Sequence, residues 1–229
     1  MNIDNFKDLE KNLGVNFKNK KLLIQALTHR SFLNETNQPD IESNERLEFL
    51  GDTILSFVIS EWLFEKFPDY FEGNLTNIRS NLVRTASLAT ISQRLGTGNH
   101  LLLSKGERES GGVKNPSLLA NALEAIIGAI FLDQGLKTVK KFIRDNFSLT
   151  LDTLIRSGGF KDSKSLLQEK IQAETNSSPV YKTLSEKGPD HNKTFTVGVF
   201  LDDKLLAAGT GKSKQQAEEE AAQIALRSK

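Results

Sequence analysis

The chain has 229 residues, with 30 Lys and Arg against 29 Asp and Glu, and it contains no cysteine. This length allows one large domain or two smaller ones, and either can bury a substantial core. The lack of cysteine excludes disulfides, thiolate zinc sites and cysteine nucleophiles, and it favours a reducing, intracellular setting, which we expect to be the cytoplasm. Because the net charge is close to zero, any site for a polyanion must be local.

Residues 1–156 show helical spacing of apolar residues, and the apolar stretch Leu118–Leu132 is too short and too interrupted for a membrane span. We therefore expect a soluble, all-helical first domain with no membrane partner. The predicted elements in chain order are two short helices separated by a turn at Gly14–Asn19, a polar loop at Asn34–Asn44, a long helix ending near Phe67, a helix within Gly73–Gly96, an exposed loop at Ser104–Pro116, a helix at Leu118–Leu132 capped by Ser117, and a helix at Leu136–Ile155.

The most informative stretch opens the long helix and runs from Asn44 to Asp52. On a helix, Glu45, Glu48 and Asp52 stand at i, i+3 and i+7, which places three carboxylates along one narrow stripe. Like charges at this spacing cost roughly a few tenths of a kcal/mol per pair unless a partner such as a metal cation uses the stripe. An acidic face that meets water or nearby Arg and Lys is the alternative. The apolar residues expected to be buried on the other side are Leu47, Leu50, Ile54, Phe57, Val58 and Leu63.

A second clue lies in the helix from Leu118 to Leu132, where Asn121 and Glu124 are the only strongly polar residues. They stand three residues apart on an otherwise apolar helix. Buried polar groups without partners are costly, so this pair predicts either a hydrogen-bonded core pair or a metal site. His29, at the end of the second predicted helix, is either a functional residue or a histidine hydrogen-bonded near a helix end, and we favour the second interpretation.

The periodicity changes beyond the first domain. Residues 157–162 are rich in glycine and predict a short flexible linker, and residues 163–229 predict a second domain of order α-β-β-β-α. Its predicted elements are a helix capped by Asp162 or Ser163 and ending at Thr175, strands at Val180–Glu186, Lys193–Leu201 and Lys204–Thr210 with a turn at Asp202–Asp203, and a last helix that starts within Gly209–Lys214 and carries an alanine stripe.

Several sequence blocks occur in an order typical of one family. In the first domain they are Leu27–Ser31, Asn44–Asp52, Gly73–Leu75 with Arg79–Ser80, Gly106–Glu107 with Ser110–Gly112, and Leu123–Ala125 with Gly128. In the second domain they are Leu167–Glu169, Gly188–His191, Phe195–Val197 and Gly209–Ala222. On these residues the chain resembles ribonuclease III, the double-strand-specific RNA endonuclease, with a double-stranded RNA-binding domain at its end.

The resemblance implies a helical endonuclease domain that forms a homodimer, with Phe49 in the dimer contact, followed by the RNA-binding domain. It also implies hydrolysis of both strands of duplex RNA to products with 5′-phosphates and short 3′ overhangs, in the processing of ribosomal and other structured RNAs. Glu48, Asp52 and Glu124 match the metal positions, Asp52 and Glu124 the catalytic ones, and Glu45 an accessory acidic position. The implied cofactor is Mg²⁺, replaceable by Mn²⁺, because such hard cations prefer oxygen ligands.

One position departs from the family pattern, because Asn121 stands where the family usually has aspartate. Its amide oxygen can still bind Mg²⁺, but the site carries one negative charge fewer. We expect an active enzyme with Asn121 among the metal ligands, since the other ligand positions are intact. One alternative is a weakened or inactive protein that binds duplex RNA as a chaperone or assembly factor. Another, a helical metal protein acting on small phosphoesters, leaves the second domain without a role.

The resemblance also assigns RNA contacts on one side of the second domain. Gln168 and Glu169 on its first helix and His191 in a loop match residues that meet successive minor grooves of an A-form duplex. The start of the last helix matches the part that spans phosphates of the intervening major groove. An ordinary small α/β domain is the alternative, since residues 163–229 hold ten basic and nine acidic side chains.

Lys212 and Lys214 lie at the start of that last helix, where free N–H groups and the helix dipole add to their attraction for phosphates. Gln215 stands where family members often carry another lysine. We therefore expect Lys212, Lys214 and Gln215 to face RNA, with modest phosphate affinity and a shallow salt dependence.

Overall fold

The computed structural model describes residues 6–36, 41–70, 72–157, 163–175, 177–189 and 193–227. The chain divides between Ser157 and Gly158 into two compact units. The helices of the first unit are α1 (Lys7–Leu13), α2 (Lys20–Leu27), α3 (Arg30–Leu33), α4 (Glu45–Lys66), α5 (Glu72–Val83), α6 (Thr85–Arg94), α7 (Lys105–Glu109) and α8 (Pro116–Ser157), with 3₁₀ turns at Thr97–His100 and Gly112–Lys114. As predicted, the first unit is helical and the second combines helices with strands.

Helices α4 and α8 form the centre of the first unit. Helix α8 has 42 residues, and its regular dihedral angles are interrupted at Gly135 (φ 79°, ψ −179°), where the sequence predicted a boundary. It is long and apolar enough to cross a membrane by length and composition, but many of its apolar side chains are buried among the other helices. The interruption lets the second half of α8 take its own direction after Gly135.

The α4 and α8 backbones touch, because glycine stands at both points of closest approach. A Cβ atom on Gly51 would lie 1.7 Å from the carbonyl oxygen of Glu124, and one on Gly128 would lie 2.4 Å from the carbonyl oxygen of Leu47. Any side chain at either position would displace the facing helix. Glycine in a helix interior costs roughly 0.5–1 kcal/mol relative to alanine, so its presence at both sites reflects this close packing.

Two predictions about local structure in the first unit are wrong. The pattern over Gly73–Gly96 forms two helices, because Arg84 adopts an extended conformation (φ −66°, ψ 150°) between α5 and α6. The segment predicted as an exposed loop at Ser104–Pro116 contains α7 and a 3₁₀ turn. Helix α7 starts there because the Ser104 hydroxyl accepts a hydrogen bond of 3.2 Å from the Glu107 amide.

The cap of α8 and one position expected to be buried also differ from prediction. Asn115, rather than Ser117, caps α8, since its Oδ1 accepts a 2.9 Å hydrogen bond from the Ser117 amide. Phe57 was expected to face the core, but its side chain is 51% exposed. Helical spacing identifies an apolar face, but it does not show whether other elements of the same unit pack against that face.

The elements of the second unit are α9 (Ser163–Thr175), β1 (Val180–Lys187), β2 (Thr194–Leu201), β3 (Lys204–Gly211) and α10 (Lys214–Arg227). The three strands form an antiparallel sheet with neighbouring order β1-β2-β3. Asp202 and Asp203 have positive φ angles (47° and 64°), as a tight hairpin turn requires. Gly209 lets α10 approach, because a Cβ atom there would lie 2.5 Å from the Ala217 carbonyl oxygen. The buried core consists of Leu167, Ile171, Val199, Ala207, Ala221, Ala222 and Ala225.

We predict that Gly51→Ala lowers the free energy of unfolding of the first unit by about 3 kcal/mol or more, because the new methyl group would meet backbone atoms of α8 that cannot move alone. Urea denaturation would measure the change. Gly106→Ala is the matched control, since a Cβ atom at Gly106 has no neighbour within 4 Å among the described residues. Equal stability of the two variants would contradict the close packing.

Candidate active site and nucleic-acid interface

The crossing of α4 and α8 brings the four predicted metal-binding residues, together with the predicted accessory residue Glu45, to one cavity of about 610 Å³. Glu48 and Asp52 reach it from α4, and Asn121 and Glu124 reach it from α8. Gly51 explains the arrangement, because it lies between Glu48 and Asp52 in sequence and packs against the Glu124 backbone. The cavity is completed by His29, Arg30, Asn44, Glu45, Phe49 and Leu118.

The carboxylates of this cavity repel one another. The pKa of Glu124 is raised to about 7, chiefly because the side chain is buried and further because Asp52 and Glu48 are negatively charged. Burial also raises the pKa of Glu48, with added contributions from the charges of Glu45 and Asp52. The couplings of Glu124 to Asp52 and Glu48 run between α8 and α4, so the carboxylates of the two helices share one electrostatic environment.

Asn121 opposes part of this repulsion. Its side chain forms a hydrogen bond with the Glu48 carboxylate, which acts to lower the pKa of Glu48. A carboxylate can only accept, so the amide nitrogen of Asn121 is the donor, and the amide oxygen keeps its lone pairs. An aspartate at this position would lose that hydrogen bond and add a negative charge. The sequence did not predict this contact, because it joins two helices that are far apart along the chain.

The chemistry of the cavity fits a hard divalent cation. The carboxylates of Glu48, Asp52 and Glu124 and the amide of Asn121 line it, with Glu45 as a fourth carboxylate. A cation would offset the repulsion that contributes to the raised pKa of Glu124. Within the described parts of the chain, no set of three or more His, Asp or Glu side chains is arranged to hold a metal ion by itself. Mg²⁺ commonly binds through one or two carboxylates together with water and substrate phosphate, so an open site of this kind suits it.

His29 and Arg30 line the same cavity, and the sequence did not single them out for the site. His29 is hydrogen-bonded at a helix end, as interpreted, since its Nδ1 accepts a 3.3 Å hydrogen bond from the Ser31 amide at the start of α3. Its own amide donates to the Leu102 carbonyl oxygen at 3.0 Å. Arg30 lies 3.8 Å from the exposed Glu45 carboxylate. Their place in the Leu27–Ser31 block was the available signal, but the path of the chain after α2 could not be predicted.

An exposed apolar face lies beside the acidic cavity. Phe49, predicted as a dimer contact, is 79% exposed. Phe49 and Glu45 line both the acidic cavity and a neighbouring cavity of about 640 Å³ that also includes Leu132. The other exposed apolar residues of α4 and the middle of α8 are Phe57, Phe64 and Leu136.

In the second unit, Lys212, Lys214 and Gln215 are exposed around the start of α10, and their contact with RNA stays a prediction. Ser213 caps this helix, because its hydroxyl accepts a 3.2 Å hydrogen bond from the Gln216 amide. The Lys214 ammonium lies 3.2 Å from the Glu186 carboxylate, a contact that the sequence did not predict.

The remaining predicted RNA contacts are Gln168 and Glu169, which lie on α9, and His191. Gln168 is half-buried and Glu169 is exposed on α9. The prediction for His191 falls outside the described residues. The structure therefore brings Lys212, Lys214 and Gln215 together at the start of α10. The role of each α9 residue stays a prediction.

Two protein-family models match this chain, and they cover different parts of it. A family model described as Ribonuclease-III-like matches residues 19–151. A second, described as a double-stranded RNA binding motif, matches residues 163–229.

Full-length relatives and solved structures agree with these matches. The chain is 45% identical to Ribonuclease 3 of Bacillus velezensis over 98% of this chain and 90% of that protein. It is 46% identical to Ribonuclease 3 of Anoxybacillus flavithermus over 96% of this chain and 92% of that protein. A nuclease-domain structure of ribonuclease III from Campylobacter jejuni, described for flexibility in a region involved in dimer formation, has a TM-score of 0.57 and 44% identity, covering 62% of this chain and 99% of that one.

We predict that Glu124→Gln removes a pH dependence of stability. Because the folded-state pKa of Glu124 is about 7 and its ordinary value is 4.5, the folded protein holds this proton more tightly and loses stability as the pH rises through about 7. With divalent ions removed, the variant should exceed the wild type by ~1–2 kcal/mol at about pH 8 and match it near pH 4.5, after a reduction for solvent screening.

Thermal unfolding at a series of pH values would measure this difference. Glu45→Gln is the matched control, since it removes an exposed carboxylate of the same stripe and leaves Glu124 in place. Parallel pH profiles for the wild type and Glu124→Gln would contradict the prediction.

Proposed function

Since the chain belongs to the ribonuclease III family, and is therefore a double-strand-specific endoribonuclease, we propose that its cleavage centre is the acidic cavity between α4 and α8. The observation that supports this most directly is the convergence of Glu48, Asp52 and Glu124 from two helices on one cavity. The shared electrostatics of these carboxylates suit a cation-dependent reaction on a phosphodiester.

The family is metal-dependent, and Mg²⁺ is our proposed ion, with Mn²⁺ able to replace it. Glu48, Asp52, Glu124 and the amide oxygen of Asn121 would hold it. When bound, the ion supplies Lewis-acid activation of water and neutralises charge on the phosphate. Glu124 must be deprotonated to act as a ligand, so ion binding is coupled to proton release near neutral pH.

Asp52 and Glu124 are the proposed catalytic residues. They approach the cavity from different helices, which allows one to orient the attacking water and the other the leaving 3′-oxygen. A carboxyl group with a pKa of about 7, as at Glu124, can exchange a proton at neutral pH. Attack by water on the phosphorus with departure of the 3′-oxygen would leave a 5′-phosphate. Offset cuts in the two strands would give the short 3′ overhangs that we propose for ribosomal and other structured RNAs.

Asn121 is compatible with activity. It supports Glu48 through its hydrogen bond and keeps an oxygen for the ion, so it has a defined place in the cavity. The comparisons give no support to an inactive RNA-assembly protein.

The second unit binds double-stranded RNA, and we propose that the start of α10 contacts its phosphates. Lys212 and Lys214 are exposed there, beside the free N–H groups of a capped helix. We assign the minor-groove contacts to Gln168, Glu169 and His191. We assign Gln215 to the phosphate contacts, beside Lys212 and Lys214. Since the charge of this unit is nearly balanced, placement of the lysines rather than their number provides the attraction.

We also propose that the enzyme is a homodimer joined through the exposed apolar face of α4 and α8. Phe49, Phe57 and Phe64 lie within about 80° of one another around α4 by helical spacing, so a single partner surface could cover them. Phe49 borders both the acidic cavity and this face. Dimerisation would therefore place a partner surface beside each cleavage centre.

The proposed function is tested by incubating the purified protein with labelled duplex RNA and Mg²⁺, with single-stranded RNA and duplex DNA as controls. We expect cuts only in duplex RNA, and none after chelation of divalent ions. Glu124→Gln should lower the cleavage rate more than about 100-fold, beyond the effect usual for residues that only support a metal ligand. Binding without cleavage at any Mg²⁺ or Mn²⁺ concentration would overturn the proposed activity.

We predict that Asn121→Asp lowers the Mg²⁺ concentration needed for half-maximal cleavage, because it adds a negative charge to the cavity. The same change should lower the stability of the metal-free protein, since it removes the hydrogen bond to Glu48. A metal titration of cleavage and a melting curve measure the two effects. Asn115→Asp, an exposed change of the same charge at the cap of α8, should show neither. An unchanged titration would reject Asn121 as a ligand.

We predict that Phe49→Arg converts the dimer to a monomer and lowers cleavage, while the fold is kept because Phe49 is 79% exposed. Analytical ultracentrifugation would measure the assembly and circular dichroism the fold. Leu149→Arg is the matched control, since Leu149 is also exposed but lies about 140° from Leu136 around α8. A monomeric wild type, or a dimeric Phe49→Arg variant, would contradict the proposed interface.

A further inference from the structure

An acidic residue lies beside Lys212, Lys214 and Gln215 at the start of α10, a surface that we call the α10 edge. Glu186 near the end of β1 pairs with Phe195 at the start of β2, and Phe195 pairs with Gly211 at the end of β3. Helix α10 begins only three residues later, at Lys214. The register of the sheet therefore carries a carboxylate to the helix start that the proposed function assigns to RNA phosphates.

Glu186 contacts two lysines at once. Its Oε1 lies 3.2 Å from Lys214 Nζ, and its Oε2 lies 3.6 Å from Lys193 Nζ. Lys212 belongs to the same edge, with its Nζ 3.4 Å from the Thr194 hydroxyl. Hydrogen bonding by Lys214, followed by the charges of Lys214 and Lys193, holds the pKa of Glu186 below its usual value, so this side chain is a carboxylate at neutral pH.

We propose that Glu186 limits the affinity of this domain for duplex RNA, because its carboxylate competes with RNA phosphates for Lys214 and Lys193. This inference rests on the proposed function of the α10 edge. A carboxylate and a phosphate both present anionic oxygens that accept hydrogen bonds from an ammonium group. A phosphate that approaches Lys214 must therefore displace or share the Glu186 contact, and it also meets the negative charge of Glu186.

An orienting role for Glu186 is the main competing explanation, and the surroundings of Lys214 argue against it. The Lys214 ammonium also lies over the Phe195 ring, 5.7 Å from its centroid, which is within the range of a cation–π contact. Lys214 thus keeps a second contact that positions it when Glu186 is neutralised. Glu186 is partly exposed, and such ion pairs contribute little to folding, so its replacement should leave the domain folded.

The test is Glu186→Gln in the full chain, with duplex RNA binding measured by fluorescence anisotropy in a chelator, so that no cleavage occurs, over a series of salt concentrations. The affinity should rise about threefold to tenfold at about 0.1 M salt, and the slope of log K against log salt should steepen by about 1. A purely structural role would not steepen this slope. Unchanged or weaker binding by Glu186→Gln would overturn the proposal.

Two further variants separate the possible failures. Asp203→Asn is the matched control, because Asp203 is an exposed carboxylate 3.0 Å from Lys182 at the opposite end of the sheet. It should leave the affinity within about twofold and the salt slope unchanged. Lys214→Gln should weaken binding several-fold if the α10 edge contacts RNA. If Lys214→Gln leaves the RNA affinity unchanged, the α10 edge is not part of the RNA site and both proposals are overturned. If Lys214→Gln weakens binding but Glu186→Gln leaves the affinity unchanged, only this inference is overturned.

Discussion

The nuclease unit depends on one close contact, in which the backbones of α4 and α8 meet at Gly51 and Gly128. This contact buries much of the apolar surface of the unit, and it also sets Glu48 and Asp52 opposite Glu124. Core packing and the candidate cleavage centre are therefore products of the same crossing. A change that pushes the two helices apart would disturb the site as directly as a change of its carboxylates.

The cost of this arrangement is electrostatic. Burial, together with the charges of Asp52 and Glu48, opposes ionisation of Glu124 and raises its pKa to about 7. The surrounding apolar core must stabilise the fold against that repulsion. Asn121 relieves part of it by donating to Glu48. Asn121, the position at which the sequence departs from the family pattern, therefore stabilises the Glu48 carboxylate in the metal-free protein.

Local charge, rather than net charge, also governs the second unit. Its basic edge is built by the register of three strands and the start of α10, and the same register places Glu186 among the lysines. The acidic cavity and the basic edge occur in a chain whose charges almost cancel. Each is therefore a product of folding, and neither could be inferred from the overall balance.

The sequence by itself determined the elements that depend on neighbours along the chain: the helical first domain, the α-β-β-β-α order, the turn at Asp202–Asp203, and the acidic stripe from Glu45 to Asp52. Local dihedral preferences and apolar periodicity are enough for these. Tertiary structure decided the break at Arg84, the exposure of Phe57, the entry of His29 into the cavity, the hydrogen bond from Asn121 to Glu48, and the ion pair between Glu186 and Lys214. Most of these depend on which segments meet across long separations, and periodicity along one segment carries no information about the chemistry of the segment that covers it.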